Sequence, residues 1–446
     1  MTIISKPEYW TKLLYPDNGE GEKVLSKYAF VFEHDGGYIL FHTISWSMFF
    51  LDKDEFSQIL ENQAFIEMRI VLDKNIDEDS IAEKAYIGRS ELPNYPTYEK
   101  LSTYIILTTS SCNARCFYCY EHGMPVSTMR KNTADAVIEF IKKTARKDTN
   151  VLIQWFGGEP LLNKKAIYYI YDRLTEDGVK LNTSMITNGY LLDEETIKRF
   201  DKMKLSRIQI TIDGLPETYN RIKNYRNDDD NPFETVMSNI ECLLKNTKTN
   251  LTIRTNVTED NVFEIDELFG MLIERFKPYF ESKRMKVHAP EEYSLHKIKN
   301  SEKPQGVVEE RNRVIEKYKK YMPKKALDAI LKKQKLSHCM ADGGNGVVIY
   351  PDGKLGVCEH NDNDTIIGNV FDGITDPTAS EKFIKKGGDN IAKCKELGCR
   401  MLPMCLAFSA CDTFKNCSDE DYVEEHVEYL KKLVIQAYEE KKTPNE

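Results

Sequence analysis

Three cysteines, Cys112, Cys116 and Cys119, stand within eight residues as C-x-x-x-C-x-x-C. A loop this short wraps its thiolates around one centre, and three soft sulfur donors suit a 4Fe-4S cluster whose fourth iron stays open. Zinc is the rival occupant; its structural sites take four ligands, and His122 offers a fourth donor. A second set of cysteines follows far downstream: Cys339, Cys358, Cys394, Cys399, Cys405, Cys411 and Cys417. With Cys242 the total is eleven, an odd number in a 446-residue chain long enough to need no disulfide staples. Metal ligation in a reducing compartment explains this usage better than a disulfide framework.

The elements that must hold these residues can be read from periodicity. Candidate strands lie at 104–108, 151–156, 182–187, 207–212, 251–256 and 285–288. Between them, near 133–147, 164–175, 193–203, 233–245 and 261–277, apolar residues recur at helical spacing. Strands alternating with helices of that length predict a parallel sheet, because each crossover needs a dozen or more residues to return. About six such units predict a complete or partial β/α barrel. The remaining candidate motifs, Gly157-Gly158-Glu159-Pro160, Thr187-Asn188-Gly189, Thr211 with Asp213-Gly214, and Arg254-Thr255-Asn256, each fall at the carboxyl end of a candidate strand. In a β/α barrel those ends share one face, where active sites are built.

The flanks read differently. Two aromatic-rich runs, 28–32 and 38–42, enclose Glu33-His34-Asp35-Gly36-Gly37 and predict a β-hairpin. Asp52, Asp54 and Glu55 open an amphipathic helix toward Leu60; a strand is expected over 65–72, a helix over 77–87, and a linker at 93–96. The lysine-rich stretch 317–335 reads as a solvated helical connector, the chain after Cys339 as loop-rich, and 419–440 as a charged amphipathic helix. The length is enough for about three domains. With 62 Lys and Arg against 71 Asp and Glu, the net charge of -9 argues against sequence-independent nucleic-acid binding, since phosphate contacts need a cationic surplus. No apolar run reaches the ~18 residues of a membrane span, and the start MTIISKPEYW lacks a signal peptide's apolar segment, so a cytoplasmic protein is expected.

The C-x-x-x-C-x-x-C motif with Tyr118 before its last cysteine resembles the signature of radical S-adenosylmethionine (SAM) enzymes. The resemblance implies an α/β fold with a partial (β/α)6 barrel, SAM chelated at the open iron, and reductive cleavage of SAM to a 5'-deoxyadenosyl radical. It further implies that Gly157, Gly158 and Glu159 meet the SAM ammonium group, that the backbone of Tyr118 meets adenine, that Thr187, Asn188 and Thr211 bond ribose or carboxylate, and that Arg254 takes the methionyl carboxylate. Where related enzymes often carry an arginine after the Asp-Gly pair, this chain has Arg221, Lys223 and Arg226, and the sequence does not choose among them.

Gly353-x4-Cys358 and Cys394-x4-Cys399-x5-Cys405-x5-Cys411-x5-Cys417 are similar to a SPASM domain, the auxiliary-cluster module of radical SAM enzymes that modify peptides and proteins, although the first and last central spacings differ from the usual ones. Carried over, that pattern gives one 4Fe-4S cluster to Cys394, Cys399, Cys405 and Cys417 and a second to Cys339, Cys358 and Cys411, making three clusters with the first. The second auxiliary cluster lacks one ligand; Cys242, His338 or a substrate thiolate could supply it. Glu359 occupies the position where sulfatase-maturing relatives carry an aspartate base.

The order of elements in the first 95 residues resembles the small winged-helix-like unit that binds leader peptides in ribosomal-peptide maturases. The domains expected are therefore a peptide-recognition unit at 1–95, the barrel at 96–325, the SPASM module at 326–424 and a terminal helix at 425–446. The activity implied is thioether formation between a cysteine sulfur and a carbon of a precursor peptide, as in sactipeptide and ranthipeptide maturases, with a flavodoxin- or ferredoxin-type reductant. Carbon-carbon or carbon-oxygen crosslinking and formylglycine formation share the same motifs, and a zinc-bearing binding protein is the rival of another class.

Overall fold

The computed structural model describes residues 1–5, 14–87, 98, 100–121, 123, 125–226, 231–290, 303–304, 306–323, 340, 345–359, 365–376, 391–402 and 420–442. Cys339, Cys405, Cys411, Cys417, His122 and His338 lie outside them, as do residues 93–96 and 324–339, so the linker and most of the lysine-rich connector do too. The chain divides into two units, Met1–Pro96 with Lys324–Gly343 and Ser380–Glu446, and Thr97–Pro323 with Gly344–Ala379.

The first unit begins with β1 (Thr2–Ser5), β2 (Lys23–Leu25), β3 (Ala29–His34), β4 (Gly37–His42), β5 (Ser47–Leu51), α1 (Lys53–Ser57), α2 (Gln63–Glu67), β6 (Val71–Asp73) and α3 (Glu78–Ile87). The expected hairpin is β3–β4, closed at Asp35-Gly36, both with positive φ as a tight right-twisting turn demands. It sits in an antiparallel sheet of order β1-β5-β4-β3, while β2 pairs with β6. The strand expected over 65–72 is mostly helical instead. Asn62 caps α2 by accepting from Ala64 N, Phe65 is buried from within that helix, and Arg69 at φ 60° breaks the chain before β6.

The second unit runs β7 (Thr103–Leu107), α4 (Lys131–Thr144), β8 (Val151–Phe156), α5 (Lys164–Glu176), β9 (Leu181–Thr187), α6 (Glu194–Met203), β10 (Arg207–Thr211), α7 (Pro216–Lys223), α8 (Pro232–Asn246), β11 (Asn250–Arg254), α9 (Ile265–Arg275), α10 (Lys277–Glu281), β12 (Met285–His288) and α11 (Val307–Tyr318). The last long crossover is two helices rather than one, since Pro278 opens α10. Strands β7 to β12 pair in parallel in chain order and form the partial (β/α)6 barrel. Along each strand burial alternates: Val151, Ile153 and Trp155 of β8, or Ile208 and Ile210 of β10, are buried, whereas Gln154, Gln209 and Thr211 between them are half-buried. One face therefore packs under the crossover helices and the other lines the lumen.

Beyond the barrel, four short strands extend the same sheet: β13 (Gly346–Ile349), parallel to β7, then β14 (Lys354–Gly356), β15 (Ile366–Asn369) and β16 (Gly373–Ile374) as an antiparallel meander. The chain then returns to the first unit with α12 (Ile391–Glu396) and α13 (Glu420–Lys442). There Leu430, Leu433 and Val434 of α13 cover Phe30, Ile39, Phe41 and Met48 on one face of the hairpin sheet. Residues Phe65 and Ile70 cover Leu40, Phe49 and Leu51 on the other. Among the described residues no helix is long and apolar enough to cross a membrane.

Candidate functional site

Cys112, Cys116 and Cys119 lie in the loop leaving the carboxyl end of β7, all three half-buried and outside any disulfide. The root of that loop is pinned by the Gly157–Glu159 strap at the end of β8. Gly158 N donates to Thr109 O at 3.1 Å and Glu159 N to Ser111 O at 2.8 Å. A Cβ on Gly157 would fall 2.2 Å from Thr109 O, and one on Gly158 would fall 2.4 Å from Ser111 O. The two glycines thus serve the close approach of two backbone segments to each other, as glycine alone permits.

Glu159 is fully buried, and its carboxylate accepts from Thr187 Oγ1 at 2.7 Å, Asn188 N at 2.8 Å and Leu161 N at 3.0 Å. Burial raises its pKa, and these three donors oppose the rise. The bonds tie the end of β8 to the end of β9. Asn188 then reaches back, donating through Nδ2 to Asn113 Oδ1 at 2.8 Å and standing 4.0 Å from Cys112 Sγ. Asn113 Nδ2 is buried with no hydrogen-bond partner among the described residues. A buried donor without an acceptor, set beside three thiols in one loop, fits a site whose remaining partner is an electron-rich group such as an inorganic sulfide or a bound ligand. Burial, against a backbone hydrogen bond from Ala114, pushes the Cys112 thiol up to about 12, so metal binding there would release a proton. Among the described residues no three His, Cys, Asp or Glu side chains converge on a single-ion site.

The opposite wall comes from β10 and β11. Asp213 and Lys223 form an ion pair at 2.7 Å, with side chains 0% and 3% exposed. The Tyr118 hydroxyl donates to Asp213 Oδ2, Lys223 Nζ lies 3.2 Å from that hydroxyl, and Asn256 N donates to Asp213 Oδ1 at 2.9 Å. Burial works against the Lys223 charge, but Asp213, Cys116 and Tyr118 outweigh it and hold the ammonium well above its ordinary range. Tyr118, whose backbone is expected to meet adenine, thus also fastens the cysteine loop through its side chain to the segment that follows β10. Arg254 Nε donates to Asn256 Oδ1 at 2.7 Å, and Thr211 stands in register opposite Arg254.

Of the three basic residues after Asp213-Gly214, only Lys223 faces this site; Arg221 is exposed and pairs with Asp260 at 2.9 Å, and Arg226 is exposed. The sequence alone does not choose among the three; the extent of α7, which ends at Lys223, does. Tyr219 and Ile222 are buried on α7, and position 223 lies four residues after 219 on the same face. Asn113 gives no comparable signal, and Asn256 is marked only by its place in the Arg254-Thr255-Asn256 motif, because the roles of both depend on which strands end side by side.

Cys358 and Glu359 follow β14 in the same unit, with Cys358 Sγ 3.7 Å from Glu359 Oε2. Tyr120 feels both ends: burial, Glu121, Glu359, Cys119 and Cys358 together push its phenol upward, which puts Glu359 within electrostatic reach of the cysteine loop. Cys394 and Cys399 belong to the other unit, both buried in one apolar cluster with Tyr28 and Leu402, Cys399 N donating to Cys394 O at 2.9 Å. Cys242 is on α8, where its sulfur meets Asn246 Nδ2 at 3.4 Å.

Comparison with known proteins is consistent with this geometry. The Radical SAM superfamily model matches residues 106–271. An uncharacterized protein of Methanocaldococcus jannaschii is 25% identical over 270 residues, 60% of this chain and 88% of its own. The radical SAM cyclopropyl synthase TigE of Paramaledivibacter caminithermalis is 25% identical over 265 residues, 50% of this chain, which spans only 55% of that relative. Among solved structures, native anSMEcpe with bound AdoMet and the Kp18Cys peptide shares the fold at a TM-score of 0.55 and 18% identity, over 76% of this chain and 99% of that one.

Proposed function

On the premise that this chain carries a radical SAM domain, we propose that it modifies a ribosomally made precursor peptide, joining a cysteine sulfur to a carbon of another residue as a thioether. The observation that carries the reading is the loop of Cys112, Cys116 and Cys119, strapped by Gly157–Glu159 at the carboxyl face of a parallel barrel beside a buried donor that lacks an acceptor among the described residues. The fold is that of radical SAM enzymes, which bind SAM and a 4Fe-4S cluster; together these supply a one-electron reagent that abstracts a hydrogen atom.

The chain's own residues do the rest. Cys112, Cys116 and Cys119 ligate the cluster. Glu159 holds Thr187 and Asn188 in place, where Asn188 and the strap would face SAM, and Arg254, its Nε engaged by Asn256, would offer its outer guanidinium nitrogens to the SAM carboxylate. Thr211, beside Arg254, serves the ribose or carboxylate. By the SPASM-like spacing, Cys339, Cys358 and Cys411 would hold one auxiliary cluster and Cys394, Cys399, Cys405 and Cys417 the other, with Cys339, Cys405, Cys411 and Cys417 outside the described residues. The substrate thiol loses its proton to Glu359 and its sulfur attacks the carbon radical. An auxiliary cluster, when bound, would supply an acceptor for the surplus electron, with a flavodoxin- or ferredoxin-type protein as its partner, and the peptide would lose two hydrogens net.

Residues 1–95 would bind the leader. In the order β1-β5-β4-β3, strand β3 is an edge among the described residues, the feature that strand addition by an extended peptide requires. That anSMEcpe is seen with a peptide favours a peptide substrate. The likeness to a cyclopropyl synthase favours a second reading, carbon-carbon bond formation. Co-expression with a short cysteine-containing peptide encoded beside this gene separates the two. A product lighter by two hydrogens whose thiol no longer alkylates supports the thioether; the same mass loss with the thiol still reactive supports the carbon-carbon bond.

A further inference from the structure

The barrel lumen carries a charge opposite to that of the whole chain. A cavity of about 780 Å³ runs along the inward face of β8 to β12, and among the described residues its lining includes Arg207, Lys283, Arg284 and Lys286 but no aspartate or glutamate, in a protein of net charge -9. Among the described residues none of these four cations has a carboxylate partner. Arg284 spends its outer nitrogens on the carbonyls of Leu244, Thr247 and Thr249, and its Nε has no acceptor among the described residues. Ser184, 3% exposed and also in the lining, has a hydroxyl with no partner among the described residues. Arg207 and Lys283 are exposed at the rim, whereas Arg284 and Lys286 are half-buried, and half-buried cations beside buried donors without acceptors are costly unless something anionic or acceptor-rich enters.

The register arranges these groups in layers. Gln154, Ser184, Arg207 and Asn250 are successive neighbours across β8 to β11; two residues further along, Ile186, Gln209, Thr252 and Lys286 are neighbours across β9 to β12. Two strand residues rise roughly 6.7 Å, the repeat of side chains on one face of an extended peptide. Arg207 on β10 and Lys286 on β12 are one layer and two strands apart, roughly 12 Å between Cα atoms; cations spread this far, with Gln154 and Gln209 able to bond a peptide backbone, suit a segment with separated carboxylates better than a polyphosphate, which needs its cations gathered at one point. From the Arg207 layer to the mouth layer of Thr211 is four residues, so an acid bound at Arg207 would lie roughly 13 Å, about four extended residues, from the reacting position.

Resting on the reading of this barrel as the reaction chamber for a peptide, we infer that the lumen selects substrates with acidic side chains, held by Arg207 and Lys286 a few residues from the carbon that is modified. The test uses the full, anaerobically reconstituted enzyme and three labelled octapeptides with glutamate, glutamine or lysine at alternate positions, followed by fluorescence anisotropy. The glutamate peptide should bind about tenfold more tightly than the glutamine peptide, with the gap shrinking as salt rises. Arg207→Gln should erase most of that gap; Arg207 is exposed at the start of β10, so the fold should tolerate the change, as a melting curve would verify. Lys286→Glu should shift preference toward the lysine peptide. Equal binding of all three peptides, a glutamate preference that survives both substitutions, or displacement by inorganic triphosphate at lower concentration than by the glutamate peptide would overturn the inference. Deoxyadenosine is assayed in the same samples: its absence with the glutamate preference intact would count against radical chemistry while leaving the acidic selectivity standing.

Discussion

At the scale of single residues, the pair Asp213–Lys223 is fully desolvated, and such a pair is stabilising only while both charges are present. Lys223→Met should leave a buried carboxylate facing Tyr118 and cost ~3–5 kcal/mol, read as a fall in melting temperature of the apoprotein. Adding Asp213→Asn to the same chain should recover most of the loss, since the second substitution removes the orphaned charge; a double variant as unstable as the single would show that shape, not charge, matters there. The sequence exposed the residues of this site unevenly. Cys112, Cys116, Cys119 and Glu159 could be found because type and spacing are local. The lock of Tyr118 onto Asp213 could not, because those residues are 95 positions apart and meet only through the strand order.

At the scale of elements, the barrel strands were legible because period-2 alternation bounded by helical stretches leaves few other readings. Strands β13 to β16 were not, since segments of two to four residues between glycines and aspartates look like loop until β7 is there to pair with. The 65–72 stretch misled for a related reason: Phe65, Ile66 and Met68 look strand-like, but the Asn62 cap commits them to a helical turn. In the hairpin sheet, His42 is fully buried; its Nδ1 meets Ser45 Oγ at 2.7 Å and its Nε2 meets Ser26 Oγ at 3.1 Å, while Ser26 donates to Glu78. Since Ser26 gives its proton to Glu78, the network assigns the imidazole proton to Nε2. Burial depresses the His42 pKa to about 3. The unfolded chain protonates this group near 6.5 and the folded chain does not. Its contribution is therefore present above pH 6.5 and lost as pH falls toward 3, by a few kcal/mol at most. Glu78, whose pKa is raised by burial, works in the other sense just above its unfolded value. Urea unfolding at pH 5 and pH 7.5 should show a loss on acidification that His42→Gln reduces; an unchanged pH slope in the variant would mean that His42 is not the group responsible.

At the scale of the whole molecule, the two ends of the chain fold together. Helix α13 covers the hairpin sheet, Tyr438 OH donates to Asp35 Oδ2 at 2.9 Å, and Lys441 donates to the carbonyl of Ile3 at 3.2 Å. Composition cannot disclose such a joining, because both segments look self-sufficient as sequence. The barrel unit meanwhile concentrates thiols at its carboxyl face and cations in its lumen, so the negative charge of the chain says little about what the interior prefers. The claim beneath all of this is that Cys112, Cys116 and Cys119 hold an iron-sulfur cluster that cleaves SAM. The direct measurement is the deoxyadenosine released when anaerobically reconstituted protein is mixed with SAM and dithionite, with metal and sulfide content determined on the same sample. The account predicts about twelve irons with matching sulfide, deoxyadenosine formation, and its loss when the three cysteines are changed to alanine. Zinc without sulfide, and no deoxyadenosine from the unaltered protein, would contradict it.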